Sequence, residues 1–219
     1  LKIKECIFAD DVLNDIENNM WVRFEDEVAI IGINPILVWI SGVFSSVSFK
    51  SIGTEIARGM NVGAIESALH FDVVKSPLTG ILVETNNLLK QNPKILNKDP
   101  FNTGWFAKLK PVKMEERKFL VETSQARLEF EKKIGELNIR CFSEFPDYEM
   151  YEIGTECSAA LTKLDELLSK SELGTVVHLV SDDPVAGIEL VRWSDRTGNL
   201  VLESRKEVNL EHFIVKKAK

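Results

Sequence analysis

Between Trp21 and Pro111 every apolar run is cut short by Gly, Pro, Asn or Ser. Each of these residues ends or kinks a helix, so punctuation this dense leaves short strands joined by turns as the economical way to fold the segment. Strands are expected over Val28 to Ile33, Val43 to Phe49 and Gly80 to Glu84. Trp105, Ala107 and Leu109 alternate with Phe106, Lys108 and Lys110, which is the period-2 pattern of a strand with one dry and one wet face. The pattern breaks after Pro111. Residues Met114 to Ile134 are rich in Glu, Lys, Arg, Leu and Phe, which predicts one charged connecting helix with Gly135 as its C′ residue.

Beyond Gly135 strands and helices alternate, the mark of an α/β or α+β unit. Leu161, Leu164, Leu167 and Leu168 form a helical stripe just after Cys157. Val176, Val177, Leu179 and Val180 make a short buried strand interrupted by His178, a core or edge residue whose ring nitrogens are expected to be satisfied, as are those of His212. Asp183 before Pro184 signals a helix start, an N-cap acceptor followed by a residue that lacks the N–H. That helix is expected to present Val185, Ile188, Val191 and Trp193 and to end before Gly198. Two strands, Leu200 to Glu203 and Phe213 to Val215, close the unit. The chain is therefore expected to be α+β, with domains at 1–135 and 136–219.

Charge and cysteine content exclude several function classes. With 34 acidic against 27 basic residues the net charge is −7, which disfavours nucleic acid as a partner. No apolar run reaches the ~20 residues of a spanning helix, since Asn34, Pro35, Ser41 and Gly42 interrupt the most apolar stretch, so no membrane partner is expected. The three cysteines, Cys6, Cys141 and Cys157, are odd in number and widely spaced. They predict neither a disulfide framework nor a metal motif, and they point to a reducing cytoplasm. Leu1-Lys2-Ile3-Lys4-Glu5-Cys6 shows no secretory signal pattern.

The residues Trp21-Val22-Arg23, Gly32-Ile33, Gly42, Gly53, Gly59, Gly63, Glu66-Ser67 and Pro77-Leu78-Thr79-Gly80 resemble the H protein of the glycine cleavage system. The likeness runs on through Glu84-Thr85-Asn86, Asn92-Pro93, Asp99-Pro100-Phe101 and Gly104-Trp105 to Lys108-Leu109-Lys110-Pro111. The resemblance implies a lipoyl/biotinyl-type flattened β-barrel with a C-terminal helix, and a carrier role rather than an enzyme. In that family the tip of the central hairpin reads E-S-V-K-A and its lysine bears a lipoyl arm. Here the tip is Glu66-Ser67-Ala68-Leu69-His70, and Leu69 stands at the acceptor position. An alkyl group offers no amine nucleophile, so no lipoyl group is expected at Leu69. The nearest lysine, Lys75, lies six residues on.

Residues 151–217 resemble the small sulfur-carrier family typified by TusA. The carrying residues are Tyr151-Glu152-Ile153-Gly154-Thr155-Glu156-Cys157, Leu173-Gly174-Thr175, Ser181-Asp182-Asp183-Pro184, Ile188, Trp193 and Gly198. The resemblance implies a two-layer β-α-β-α-β-β sandwich in which Cys157 transiently holds a persulfide and Gly154 and Asp183 support the helix starts. A cysteine at a helix N-terminus has its thiolate favoured by the exposed N–H groups. The family's C-P-x-P is Cys157-Ser158-Ala159-Ala160 here, and both prolines are gone.

Together the two likenesses lead to a cytoplasmic docking and sulfur-relay protein whose partners are lipoyl-addressed or sulfur-transfer enzymes. Two alternatives stand beside it: a pure scaffold that has lost both carrier chemistries, and an H protein by descent with an unexpected modified lysine such as Lys75. No resident metal or other cofactor is expected. The glycines from Gly53 to Gly63 lack a phosphate-loop lysine, no serine lies in a hydrolase elbow, and no His/Cys cluster has ligand spacing.

Overall fold

Asn, Gly and Pro do partition the first half of the chain into short strands. The computed structural model describes residues 1–219, which form two units, Leu1–Cys141 and Phe142–Lys219. In the first, β1 (Lys2–Ile3) and β2 (Cys6–Ile7) pair as a small hairpin, followed by β3 (Leu13–Asp15), β4 (Met20–Glu25) and β5 (Val28–Ile33). Helix α1 (Pro35–Ser41) comes next, its N-cap Asn34 accepting from the Ile36 and Leu37 amides, with Pro35 at the helix start where no N–H is needed. Then come β6 (Phe44–Phe49), β7 (Glu55–Ile56), β8 (Asn61–Ser67), β9 (Phe71–Lys75) and β10 (Gly80–Thr85). Two short helices, α2 (Leu88–Gln91) and α3 (Ile95–Lys98), lead to β11 (Ala107–Pro111).

These strands make a seven-stranded sheet in the order β12-β3-β4-β5-β11-β10-β7 and a three-stranded sheet β6-β8-β9, where β12 is Val121–Glu122. Phe106, fully buried at the entrance to β11, meets the Phe49 ring of β6 at 4.8 Å between centroids. Close packing fixes two glycines: a Cβ on Gly32 would lie 2.4 Å from the Trp21 ring, and one on Gly63 would lie 2.2 Å from the Ser48 carbonyl oxygen. Trp21 is fully buried and its indole N–H donates to the Pro100 carbonyl at 3.0 Å, as a buried indole requires.

The single helix expected over 114–134 is three elements. Met114–Phe119 is a 3-10 turn, β12 joins the sheet edge beside β3, and only α4 (Arg127–Glu136) is α-helical. The cause is tertiary. Glu116 accepts from both the backbone N–H and the hydroxyl of Thr79, while the Asn14 side-chain amide donates to Thr123 Oγ1, which donates to the Ala9 carbonyl. Val121 and Thr123 are weak helix formers in any case.

Cys6 and Cys141 form a disulfide, correcting the expectation of unpaired cysteines and removing the cysteine argument for a reducing cytoplasm. Their sequence separation of 135 residues hides the pairing, and the odd count is one pair plus Cys157. The bond is buried with Ile3, Phe8, Ile36, Phe130 and Ile134. It draws residues 136–141 into the first unit, so the units divide after Cys141 and not at residue 135. No helix is long and apolar enough to cross a membrane.

The second unit runs β13 (Tyr148–Glu152), α5 (Cys157–Ser169), β14 (Val176–Ser181), α6 (Ala186–Thr197), β15 (Leu200–Glu207) and β16 (Leu210–Lys216). Its sheet has the order β13-β14-β16-β15, with β13 parallel to β14 and the other pairs antiparallel. Both closing strands are longer than expected. Val177, Leu179, Phe213 and Val215 pack on Leu161, Leu164, Leu168, Leu190 and Trp193 of the helices. The buried stripe of α6 is Ala186, Leu190 and Trp193, spaced i, i+4, i+7, whereas Val185, Ile188 and Val191 are exposed. Trp193 sets that face, because its indole N–H donates to Asp165 of α5 at 2.7 Å.

Candidate functional site

The central hairpin of β8 and β9 turns through Ala68, Leu69 and His70, and Ser67 holds the turn together. Its hydroxyl donates to the Ser41 carbonyl at 2.6 Å and accepts from the backbone N–H groups of Leu69 and His70. The Ser67 N–H closes the hairpin onto the His70 carbonyl at 2.8 Å. Asn97 fixes the adjoining chain, donating to the Gly42 carbonyl and accepting from the Phe44 N–H. The platform is therefore cross-linked by hydrogen bonds among three stretches of chain, 41–44, 67–70 and Asn97. It presents Leu69, 77% exposed, and Phe71, 72% exposed, with Glu66 and His70 also exposed. Lys75 lies at the far end of β9, opposite Asn61. Glu66, Leu69 and His70 thus come together at the tip, and the acceptor position carries an alkyl group. Neither Ser67 nor Asn97 stood out as a positioning residue in the sequence, because both act through contacts distant along the chain.

The second candidate site lies where β13 runs into α5. Gly154 has φ +70°, a left-handed conformation that suits glycine, and its N–H donates to Asp182 Oδ1 at 2.8 Å. Cys157 is the first residue of α5, as its motif implies, and its N–H donates to Asp183 Oδ2 at 2.8 Å. Asp183 Oδ1 accepts from the Val185 N–H, and the Asp183 carbonyl accepts from Ala186. One carboxylate therefore serves the starts of both helices, although α6 begins at Ala186, two residues past Pro184.

This arrangement reverses the expected chemistry of the thiol. Asp183 occupies the helix N-terminus that would otherwise favour a thiolate. Cys157 is only 6% exposed, and burial pushes its thiol above the ordinary cysteine value, with Asp183 and Glu189 adding repulsion. The thiolate is disfavoured there, not favoured. No group of three or more His, Cys, Asp and Glu side chains is arranged to hold a metal.

A strand-rich module that displays a central hairpin on a hydrogen-bonded platform belongs to the class of lipoyl-type carrier folds. Sequence relations then fix the family. The glycine cleavage H-protein family matches residues 13–133. Glycine cleavage system H protein 5 of Aquifex aeolicus is 33% identical over 145 residues, 64% of this chain and 98% of that protein. Probable glycine cleavage system H protein 1 of Saccharolobus solfataricus is 39% identical over 118 residues, 54% of this chain and 86% of the relative. A crystal structure of a glycine cleavage system H protein from Mycobacterium marinum covers 60% of this chain and 100% of that one at 21% identity, with a TM-score of 0.49. The assignment rests on the sequence matches: the chain belongs to the glycine cleavage H-protein family, a family of carriers and not of enzymes. The family match stops short of the second unit.

Proposed function

We propose that this chain is an H-protein family member that works without a lipoyl arm, docking other proteins through the hairpin whose tip is Leu69. The observation that carries the reading is the exposed leucine on the Ser67 platform, where an amide-linked arm would need an amine. Partners that address lipoyl modules fit this surface, because the platform is retained while the tip is apolar. Intact mass after incubation with lipoate, ATP and a lipoate ligase tests it. An unchanged mass is expected; a lipoyl adduct mapped to Lys75 would overturn it in favour of an H protein modified at an unexpected lysine.

A second reading concerns Cys157 as a persulfide carrier in a TusA-like second unit. The β-α-β-α-β-β order and the left-handed Gly154 turn three residues before the cysteine support it. The buried thiol and its raised pKa weigh against it, and favour a scaffold in which neither carrier chemistry operates. A persulfide donor should leave no reducible sulfur on Cys157 if the scaffold reading holds. A sulfur gained by the native protein and lost in Cys157→Ser would establish relay.

A further inference from the structure

The face of the second unit's sheet that points away from α5 and α6 carries a chain of four titratable groups. Alternation along β14 and β16 places His178 there, between the helix-facing Val177 and Leu179, and His212 with it, next to the helix-facing Phe213 and two residues from Ile214, the partner of His178 in the sheet. His178 Nε2 and His212 Nδ1 are 3.0 Å apart, and His178 Nδ1 is 3.4 Å from Glu149 Oε1. His212 Nε2 lies 3.9 Å from Glu207 Oε2. Both imidazoles are 3% exposed.

What buries them is a strap, residues 142–144. Phe142 lies over His178 and His212 at centroid distances of 4.5 and 6.0 Å. Arg205 of β15 caps the Phe142 ring at 4.7 Å and is ion-paired to Glu203 and Glu207. The Ser143 N–H donates to Glu203 at 2.7 Å, and Glu144 pairs with Lys216 of β16. Tyr151 of β13 adds a ring edge 6.1 Å from His178 and donates to Glu149. These charged and titratable groups face the pair from β13, β15, β16 and the strap.

We propose that the Glu149, His178, His212 and Glu207 chain is a pH-sensitive latch that holds residues 142–144 on the sheet and releases them on acidification. The facing nitrogens limit how many protons the pair can hold. The two rings have four nitrogens, and the facing pair at 3.0 Å shares one hydrogen, so the latched rings hold three protons at most. A fourth sets two N–H donors against each other at hydrogen-bond distance with no acceptor between them. Rings freed from the latch take all four at a pH below the ordinary imidazole value of about 6.5. Release therefore takes up at least one proton, and its equilibrium shifts at least about tenfold per pH unit in that range. Glu149 remains charged there, since its hydrogen bond with His178 holds its carboxyl below the usual value. What is released is the stretch of chain that leaves Cys141.

The test is backbone hydrogen exchange at Ser143 in the full chain between pH 8 and pH 5, corrected for the intrinsic rate, together with 15N-detected imidazole spectra. Protection at Ser143 should fall at least about tenfold per pH unit below about pH 6. In His212→Asn, whose side-chain oxygen can accept from His178 Nε2 while that ring holds both its protons, release takes up no proton and the fall should vanish. Protection that is flat in the native protein, or equally pH-dependent in H212N, overturns the latch. Should H212N not fold, the native imidazole spectra decide alone: four ring protons present while Ser143 remains protected would refute it, and release coincident with the fourth proton would support it.

Discussion

At the scale of single residues, the hairpin tip separates two properties that a carrier normally combines, a fixed platform and a nucleophile. Ser67 supplies the first through bonds to Ser41, Leu69 and His70, and Leu69 lacks the second. Leu69→Lys should therefore suffice to create an acceptor: after treatment with lipoate, ATP and a ligase, the variant should gain one lipoyl mass while the native chain gains none. Loss of the gain in the double variant that also carries Ser67→Ala would show that the platform contributes to recognition. Cys157 poses the inverse case, a nucleophile whose surroundings suppress it. Asp183→Asn keeps an oxygen to accept the Cys157 N–H and removes the charge, so the thiol pKa should fall. Iodoacetamide labelling at neutral pH should then speed up, by as much as about tenfold if the shift reaches one unit; an unchanged rate would mean that the Asp183 charge does not hold the thiol up. The identity of the tip was legible in the sequence because Glu66 to His70 are contiguous. The role of Asp183 was only half legible, since its bond to Cys157 spans 26 residues.

At the scale of elements, legibility follows the same division between local and distant causes. The strands β5, β6 and β10 lie where punctuation puts them, because turn residues act within a few positions, whereas β11 starts at Ala107, and Phe106, expected on its wet face, is fully buried against Phe49. The stretch from Met114 to Ile134 departs too, since its Glu, Lys and Arg content is equally at home in a 3-10 turn and a helix. The break is imposed by Ala9, Asn14 and Thr79 from elsewhere in the chain, which hold Thr123 and Glu116 within it. The disulfide is the extreme case of a distant cause. It ties the β1–β2 hairpin to the chain after α4 and closes a loop with a separation of 135 residues. Cross-links of this kind stabilise by about 2–4 kcal/mol, chiefly by restricting the unfolded chain. Cys141→Ser should lower the denaturation midpoint of the first unit accordingly without changing the β5 to β11 strand pairing. Equal midpoints with and without dithiothreitol in the native protein would show that the bond contributes nothing.

For the whole molecule, the Cys6–Cys141 bond is internal to the first unit, and the core, the strap and the histidine chain are internal to the second. Residues 142–219 contain both helices, all four strands and the Phe142 cover, so expressed alone they should unfold cooperatively with the native near-UV signature of Trp193. A non-cooperative melt would show that the first unit is needed to complete the fold. Acid should then act on this fragment in two stages of different origin. The latch responds near the imidazole range. Glu149 responds lower: its carboxyl is held below the ordinary value by His178, so its contribution is complete above the unfolded carboxylate value of about 4.3. That contribution is lost as pH falls through the lower folded value, and it is modest because the side chain is half exposed. Denaturant midpoints of Glu149→Gln and native fragment should converge toward pH 3 and diverge by pH 6. Parallel curves across that range would assign the acid loss to other carboxylates.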